Sequence, residues 1–356
     1  MDFDMLGLKP RLVARLKEQG ITDPTPIQAK AIPLAMEGRD VMGLAQTGTG
    51  KTLAFGVPLI HALTKIGRKP APKTVAGLIL APTRELAKQI SDNLRAYTKG
   101  SHLKVAMVVG GQSLGRQIEQ MSRGIDLLVA TPGRLIDLIE RKAVDLSHTR
   151  FLVLDEADQM LDMGFIHALR RIAPLLASDR QTMLFSATMP KQMAEIAAAY
   201  LTDPIRVEVA RPGKAVDKIA QSVHFVAQSQ KQSLLIDLLG EHRHERALVF
   251  ARTKHGAERL MKNLAKAGFE AASIHGNKSQ GQRDRAIDGF RKGHIKVLVA
   301  TDVAARGIDV KDVKHVYNFD LPNVPENYVH RIGRTARAGA DGKAIAFCAE
   351  AEMGEL

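Results

Sequence analysis

Two short stretches of the chain combine glycines, a lysine, hydroxyls and carboxylates at spacings that could do chemistry. Ala45-Gln46-Thr47-Gly48-Thr49-Gly50-Lys51-Thr52 follows the apolar run Val41–Leu44 and precedes a helix-compatible stretch beginning at Lys51. Strand, glycine-bearing loop and helix form the context that a phosphate-binding loop needs. Gly48 and Gly50 permit the backbone bends that turn successive N–H groups toward phosphate oxygens. Lys51 would place a cation on the β- and γ-phosphates, and Thr52 a hydroxyl on Mg²⁺. Asp155-Glu156-Ala157-Asp158 follows Phe151-Leu152-Val153-Leu154, which reads as a fully buried strand. Its carboxylates therefore sit at a strand's carboxyl end, where open α/β sheets bind ligands. A glycine loop alone can arise by chance, and acidic residues alone can simply favour a helix N-terminus. Together, after two separate strands, they point to a nucleoside triphosphatase.

The elements that must position these residues repeat a strand-then-helix rhythm. Expected strands in the first half are Val41–Leu44, Ala76–Ala81, Lys104–Val109, Leu127–Ala130, Phe151–Leu154 and Thr182–Ser186, with helices such as Glu85–Ala96 and Leu114–Arg123 between them. The second half restarts the pattern with Ala247–Ala251, Ala271–His275, Val297–Thr301, His315–Phe319 and Lys343–Cys348. Such alternation implies parallel sheets covered by helices. Ala210-Arg211-Pro212-Gly213-Lys214-Ala215 interrupts it and reads as a linker. The expected division is a nucleotide-binding domain over 1–209, a linker over 210–216 and a second domain over 217–356. Only the first half carries a phosphate loop, so the second must contribute something other than an independent nucleotide site.

A length of 356 residues exceeds what one hydrophobic core usually serves, which agrees with two domains. A net charge of +13 suggests a polyanionic partner, against the simpler reading that charge aids solubility. The excess is shared, with 27 Lys+Arg against 21 Asp+Glu in 1–210 and 24 against 17 in 211–356. Cys348 is the only cysteine, which excludes an internal disulfide and a cysteine-rich zinc site. Nothing reads as a signal peptide or a membrane-spanning run, and a cytoplasmic protein is the expectation. Aromatics are 4% of residues and Trp is absent, so base-stacking platforms are not expected and nucleic acid should be held by its backbone.

Gln28, in Gly20-Ile21-Thr22-Asp23-Pro24-Thr25-Pro26-Ile27-Gln28, offers the donor and acceptor that an adenine edge requires. The same segment reads as a helix N-terminus with Thr25 as cap and Pro26 in the first turn, and both readings can hold together. At this point a resemblance becomes specific. Gln46–Thr52, Pro82-Thr83-Arg84-Glu85-Leu86-Ala87, Thr131-Pro132-Gly133-Arg134, Asp155–Asp158, Ser186-Ala187-Thr188, Ala300–Asp309 and His330–Arg337 occur in the order found in DEAD-box RNA helicases. The match runs from Phe3 to about Cys348, and the chain most resembles bacterial RhlE-type members.

The resemblance implies two RecA-like domains that close over ATP and RNA. It implies that Gln28 reads adenine with Phe3 packing near the base, and that Ala45, Gln46, Thr47, Gly48, Thr49, Gly50, Lys51 and Thr52 cradle phosphate. Asp155 would hold Mg²⁺ through water, alongside Thr52, and Glu156 would polarise the attacking water. Asp158, Ser186, Thr188 and His330 are implied to couple the ATP site to RNA, although hydroxyls at a strand end often only cap a turn.

His330-Arg331-Ile332-Gly333-Arg334-Thr335-Ala336-Arg337 spaces three arginines so that they can converge on one anion. The alternative is a solvated basic face. The family assigns Arg334 and Arg337 to the γ-phosphate, and Gly307 and Asp309 to the nucleotide, with Asp309 at the ribose. Implied RNA contacts are Pro82, Thr83, Arg84, Gly111, Thr131 and Arg134, then Thr253, Gly276, Arg283 and Thr301 in the second half. These residue types suit phosphate and 2′-OH groups rather than base edges, although Thr83 could be an ordinary helix cap.

The expected activity is ATP-dependent unwinding of short RNA duplexes, or remodelling of RNA–protein complexes, by a monomeric core. Ribosome-assembly or RNA-decay complexes are its expected setting. A DNA-directed translocase and a non-hydrolysing RNA clamp are the rivals. Gln28 in its Pro-Thr-Pro-Ile setting and Asp155–Asp158 oppose the first, and intact Lys51, Glu156, Arg334 and Arg337 oppose the second. Ala349–Leu356 reads as the start of a helix, with no basic tail after it of the kind many relatives carry.

Overall fold

A computed structural model describes residues 2–45, 48–189, 191–209, 219–305, 313–323, 325–335 and 342–355. Its contacts divide the chain into two compact units, Met1–Arg211 and Pro212–Leu356. The expected linker, 210–216, lies outside the described residues.

The first unit is built on seven strands: β1 Val41–Leu44, β2 Val75–Leu80, β3 Val105–Val108, β4 Ile125–Ala130, β5 Phe151–Leu154, β6 Gln181–Ser186 and β7 Ile205–Glu208. They lie in the order β3-β4-β2-β5-β6-β1-β7, and every pairing is parallel. Unbroken apolar runs suit this arrangement because both faces are covered by helices. Successive side chains alternate between two cores. Ile79, Val153 and Phe185 join one core with the helices Pro26–Met36, Lys51–Ile66 and Arg84–Thr98. Leu78, Leu80, Leu154 and Leu184 join the other, with Pro132–Glu140 and Lys191–Tyr200.

The second unit has six strands: β8 Ile219–Phe225, β9 Arg246–Phe250, β10 Ala271–Ile274, β11 Val297–Ala300, β12 Val313–Asn318 and β13 Gly342–Cys348. Their order is β10-β11-β9-β12-β13-β8, again parallel throughout. The same alternation splits Val249 and Val299 from Leu248 and Leu298.

The eleven expected strands are all present, with ends displaced by at most two residues, the largest displacements being the earlier starts of β4 at Ile125 and of β12 at Val313. Sequence periodicity missed β7 and β8. Both are edge strands with mostly exposed side chains, so neither carries the apolar run that marked the others. The helix expected from Ala349 is instead a 3₁₀ segment, Glu350–Glu355. It is tied down by Glu352, whose carboxylate accepts from Lys231 Nζ and Arg252 Nη2.

Candidate functional site

In the first unit, the carboxyl ends of the strands sort the site residues into two neighbouring groups. Ala45, Asp155 and Ser186 stand at the ends of β1, β5 and β6, which are contiguous in the sheet. Thr83, Gly111 and Thr131 follow β2, β3 and β4, the other contiguous half. The border between β2 and β5 thus separates the expected nucleotide residues from the expected RNA residues. The second unit repeats the placement, with Thr253, Gly276 and Thr301 after the contiguous strands β9, β10 and β11.

The phosphate loop returns Gly48 and Gly50 at φ of 85° and 92°, a region that L side chains avoid. Gly50 has a second reason to be glycine, since a Cβ there would stand 2.4 Å from Gln28 Nε2. That amide donates to the Gly50 carbonyl at 3.0 Å, while its Oε1 accepts from the Thr25 N–H at 2.9 Å. Gln28 therefore belongs to the helix cap and to the phosphate loop at once. Gln46 and Thr47 lie outside the described residues. Phe3 is wholly buried in the core and presents no ring face outward in this structure.

Lys51 opens the helix Lys51–Ile66 and is 4% exposed. Its Nζ donates to Glu156 Oε1 at 2.7 Å and lies 3.9 Å from Asp155 Oδ1. Burial acts to lower the Lys51 pKa, but the negative charge of Glu156 and Asp155 prevails and holds it above the usual value. For Asp155, burial dominates in the other direction. Lys51 opposes the effect only in part, and the carboxyl is pushed up to about 7. Glu156 itself adopts left-handed backbone (φ 52°, ψ 51°) as the residue preceding the helix Ala157–Asp162. A non-glycine residue there costs about 1–3 kcal/mol, and such strain gathers at functional sites. Thr52 follows Lys51 in the same helical turn. A carboxylate and a hydroxyl are hard oxygen donors, so Asp155 and Thr52 fit Mg²⁺ in chemical type.

Ser186 and Thr188 are more than a strand-end cap. Asp158 Oδ2 accepts from Thr188 N and from Thr188 Oγ1, each at 2.9 Å. Asp158 N donates to Ser186 Oγ at 3.3 Å, and that hydroxyl donates to the Thr188 carbonyl at 2.7 Å. The three residues close a ring of hydrogen bonds between β5 and β6.

Among the expected RNA residues, Thr83 and Thr253 occupy equivalent roles as helix caps. Their hydroxyls accept from Leu86 N at 3.2 Å and Gly256 N at 3.0 Å. Arg84 lies against Gly111, where a Cβ would come within 2.2 Å of its Nη1. Arg134 Nη1 donates to the Gln112 carbonyl at 3.2 Å and Gln117 Oε1 at 3.0 Å. Pro82 precedes the Thr83 cap, and Arg283 lies on the helix Gln280–Arg291.

The arginine run behaves differently from its spacing. Arg331 does not share an anion with its neighbours, because its guanidinium is already committed inside the unit. It forks onto Asp302 at 2.6 and 2.8 Å, donates to Asn318 Oδ1 at 3.0 Å and lies over the Phe250 ring. Arg334 is 6% exposed, while Arg337, Gly307 and Asp309 lie outside the described residues. His330 sits on the helix Pro325–Ile332.

One group escaped sequence reading. Glu258 accepts from Ser273 Oγ at 2.7 Å and Lys278 Nζ at 2.9 Å, and lies 3.0 Å from His275 Nε2, which fixes the loop that carries Gly276. These bonds hold its carboxyl down at about 2. Fifteen residues separate Glu258 from Ser273, and no spacing rule links a helix carboxylate to the next strand. His242, Glu245 and His315 also cluster, at the amino ends of β9 and β12. The two imidazoles stack in parallel with centroids 3.5 Å apart, so their in-plane lone pairs do not converge on one ion.

Two parallel α/β units, the first with a phosphate loop and an Asp-Glu-Ala-Asp strand end, define a nucleic-acid-dependent nucleoside triphosphatase core. Residues 25–196 match the model of the DEAD/DEAH box helicase family, and residues 230–339 that of the helicase conserved C-terminal domain. The chain is 44% identical over 354 residues to the ATP-dependent RNA helicase CshA of Listeria monocytogenes, covering 99% of this chain and 67% of that one. It is likewise 44% identical to the DEAD-box ATP-dependent RNA helicase CshA of Geobacillus kaustophilus, covering 99% and 75%. Among solved structures, S. cerevisiae Dbp5 bound to RNA and ADP BeF3 aligns with a TM-score of 0.83 at 32% identity, over 98% of this chain and 89% of that one. Mss116p bound to ssRNA and AMP-PNP aligns with a TM-score of 0.87 at 29% identity, over 99% and 74%. The chain belongs to the DEAD-box family of ATP-dependent RNA helicases.

Proposed function

We propose that the chain couples ATP hydrolysis to local unwinding of short RNA duplexes or to remodelling of RNA–protein complexes, by closing its two units about the linker 210–216. The observation that carries this reading is the convergence of Lys51, Asp155 and Glu156 in one buried cluster, beside the Asp158–Ser186–Thr188 ring. Lys51 moves its cation from Glu156 to the β- and γ-phosphates when ATP enters. Glu156, released from Lys51, orients and polarises the attacking water, a task that needs a carboxylate within hydrogen-bond reach. Gln28 reads adenine with the amide that now braces Gly50. Asp155 and Thr52 would hold Mg²⁺, which when bound would neutralise phosphate charge. Arg334 and Arg337 supply cations to the γ-phosphate from the second unit, with Gly307 and Asp309 at the nucleotide.

RNA lies across the ends of β2, β3 and β4 and of β9, β10 and β11. Threonine hydroxyls, arginines and backbone there meet phosphate and 2′-OH, so recognition is largely independent of sequence. We place the protein in the cytoplasm as a monomer, within ribosome-assembly or RNA-decay complexes. No helix among the described residues is long and apolar enough to cross a membrane. An Arg334→Ala variant tests the division of labour: nucleotide binding should persist while RNA-stimulated hydrolysis collapses. Unaltered turnover would remove the second unit from the reaction.

A further inference from the structure

One concave region of the first unit is used by none of these motifs. The first two turns of the helix Pro10–Glu18, the last turns of Lys51–Ile66 and Arg84–Thr98, and the turn 99–102 line a cavity of about 200 Å³. Thr64, on its wall, is 13 residues along the helix from Lys51, roughly 20 Å from the phosphate loop at the usual rise.

Lys9, Arg11, Arg15 and Lys99 stand around the cavity, and no carboxylate lines it. Among the described residues only Arg15 of these four has an anionic partner, Glu18 at 2.7 Å. Arg11 Nη2 donates to the Gly100 carbonyl at 2.9 Å and Arg15 Nη2 to the Lys99 carbonyl at 3.0 Å. Both guanidinium groups are thus held by backbone and keep further N–H donors. Gly100, at φ 75°, takes the left-handed backbone of the turn that presents its carbonyl. The helix Pro10–Glu18 begins with Lys9 as its cap and has no acidic residue in its first turn, which leaves its positive end uncompensated.

Leu12, Ile60 and the Tyr97 ring form an apolar floor. Two polar groups beside that floor lack partners among the described residues, the Tyr97 hydroxyl and His61 Nδ1, and of the two His61 Nδ1 is closed off from solvent. Buried polar groups are nearly always satisfied, so His61 Nδ1 calls for a ligand or water. The cationic field reaches inside: after burial, Lys9 and Lys65 further lower the His61 pKa.

We propose that this cavity binds a phosphomonoester carried on a small planar organic group, the class of the nucleoside monophosphates. The phosphate meets Lys9, Arg11 and Lys99, for which guanidinium and ammonium donors are suited. The planar group lies on Leu12 and Ile60, with its polar edge toward Tyr97 and His61.

The chain has four tyrosines, so 3-fluorotyrosine labelling gives four ¹⁹F resonances, and Tyr97→Phe assigns one of them. Uridine monophosphate, added to the full chain with ADP saturating the first site, should shift the Tyr97 resonance saturably. Uridine should leave it in place, and inorganic phosphate should bind at least about tenfold more weakly. Joint Arg11→Gln and Lys99→Gln substitution should weaken uridine monophosphate by about tenfold or more and leave ATPase activity unchanged. An unmoved Tyr97 resonance, an equal response to uridine or to inorganic phosphate, or full affinity in the double variant would overturn the proposal.

Discussion

Asp158 and Thr188 lie 30 positions apart, yet Asp158 Oδ2 accepts hydrogen bonds from both the backbone N–H and the Oγ1 of Thr188, each at 2.9 Å. The bond ties the last carboxylate of the strand-end cluster on β5 to the segment leaving β6. The proposed link between nucleotide and RNA would run through this bond between the two strand ends.

Thr188→Val keeps the shape of the side chain and removes its hydroxyl. Asp158 keeps its bond from Thr188 N, so the unit should fold but lose about 1.5–3 kcal/mol, the usual worth of a hydrogen bond to a charged group. ATP affinity should persist while stimulation of turnover by RNA falls. Urea denaturation and steady-state ATPase assays with and without RNA measure the two effects, and full RNA stimulation in the variant would uncouple this bond from the mechanism.

Glu156→Gln should fold, since the amide can still accept from Lys51 across the present 2.7 Å. Turnover should drop by ~10²–10⁴-fold, the range for loss of an acid–base group. Single-turnover hydrolysis alongside nucleotide titration separates chemistry from binding. Near-normal hydrolysis would strip Glu156 of its assigned role.

The raised pKa of Asp155, about 7, sets a pH dependence whose sign is opposite to that of an ordinary ion-paired carboxylate. Between the unfolded value near ~3.9 and the folded value, the native state binds more protons than the unfolded one, so stability falls as pH rises. The nucleotide-free protein should therefore be more stable at pH 5 than at pH 8 by this contribution. Asp155→Asn should flatten that slope. Lys51 stays charged throughout this window and adds no slope of its own. Parallel pH–denaturation curves for the two proteins check the claim, and identical slopes would contradict it.

Arg331→Leu should destabilise the second unit by about 3 kcal/mol, because it leaves Asp302 facing a buried space with its fork of donors removed. Asp302 is partly exposed, which places the cost at the low end for broken buried pairs. Thermal unfolding of the variant measures this directly, and an unchanged midpoint would show that the fork is dispensable.

The placement of most of the candidate nucleotide-site residues was legible in the sequence because they sit within a few positions of strand ends that their own apolar runs announce. Ala45 follows Val41–Leu44 and Asp155 follows Phe151–Leu154, and both strands carry the expected ends. Edge strands β7 and β8 were illegible for the reverse reason, since exposed side chains leave no run to detect. Charge spacing also misled at one point. Arg331 falls in step with Arg334, yet the packing of Asp302, Asn318 and Phe250 captures it. Glu258 was invisible because its bonds to Ser273 and Lys278 depend on how a helix lies against the next strand, which no local pattern encodes.

The central claim is that ATP turnover answers to the RNA backbone. The direct measurement is steady-state ATP hydrolysis by the full chain with no polymer, with single-stranded RNA of several sequences, and with DNA of matched length. RNA should stimulate turnover strongly, with little dependence on sequence, while DNA should stimulate it far less because it lacks the 2′-OH that RNA-directed contacts use. Affinity for RNA should fall with salt at about 0.7 log units per neutralised phosphate for each log unit of salt. Equal stimulation by DNA, or hydrolysis indifferent to any polymer, would contradict it.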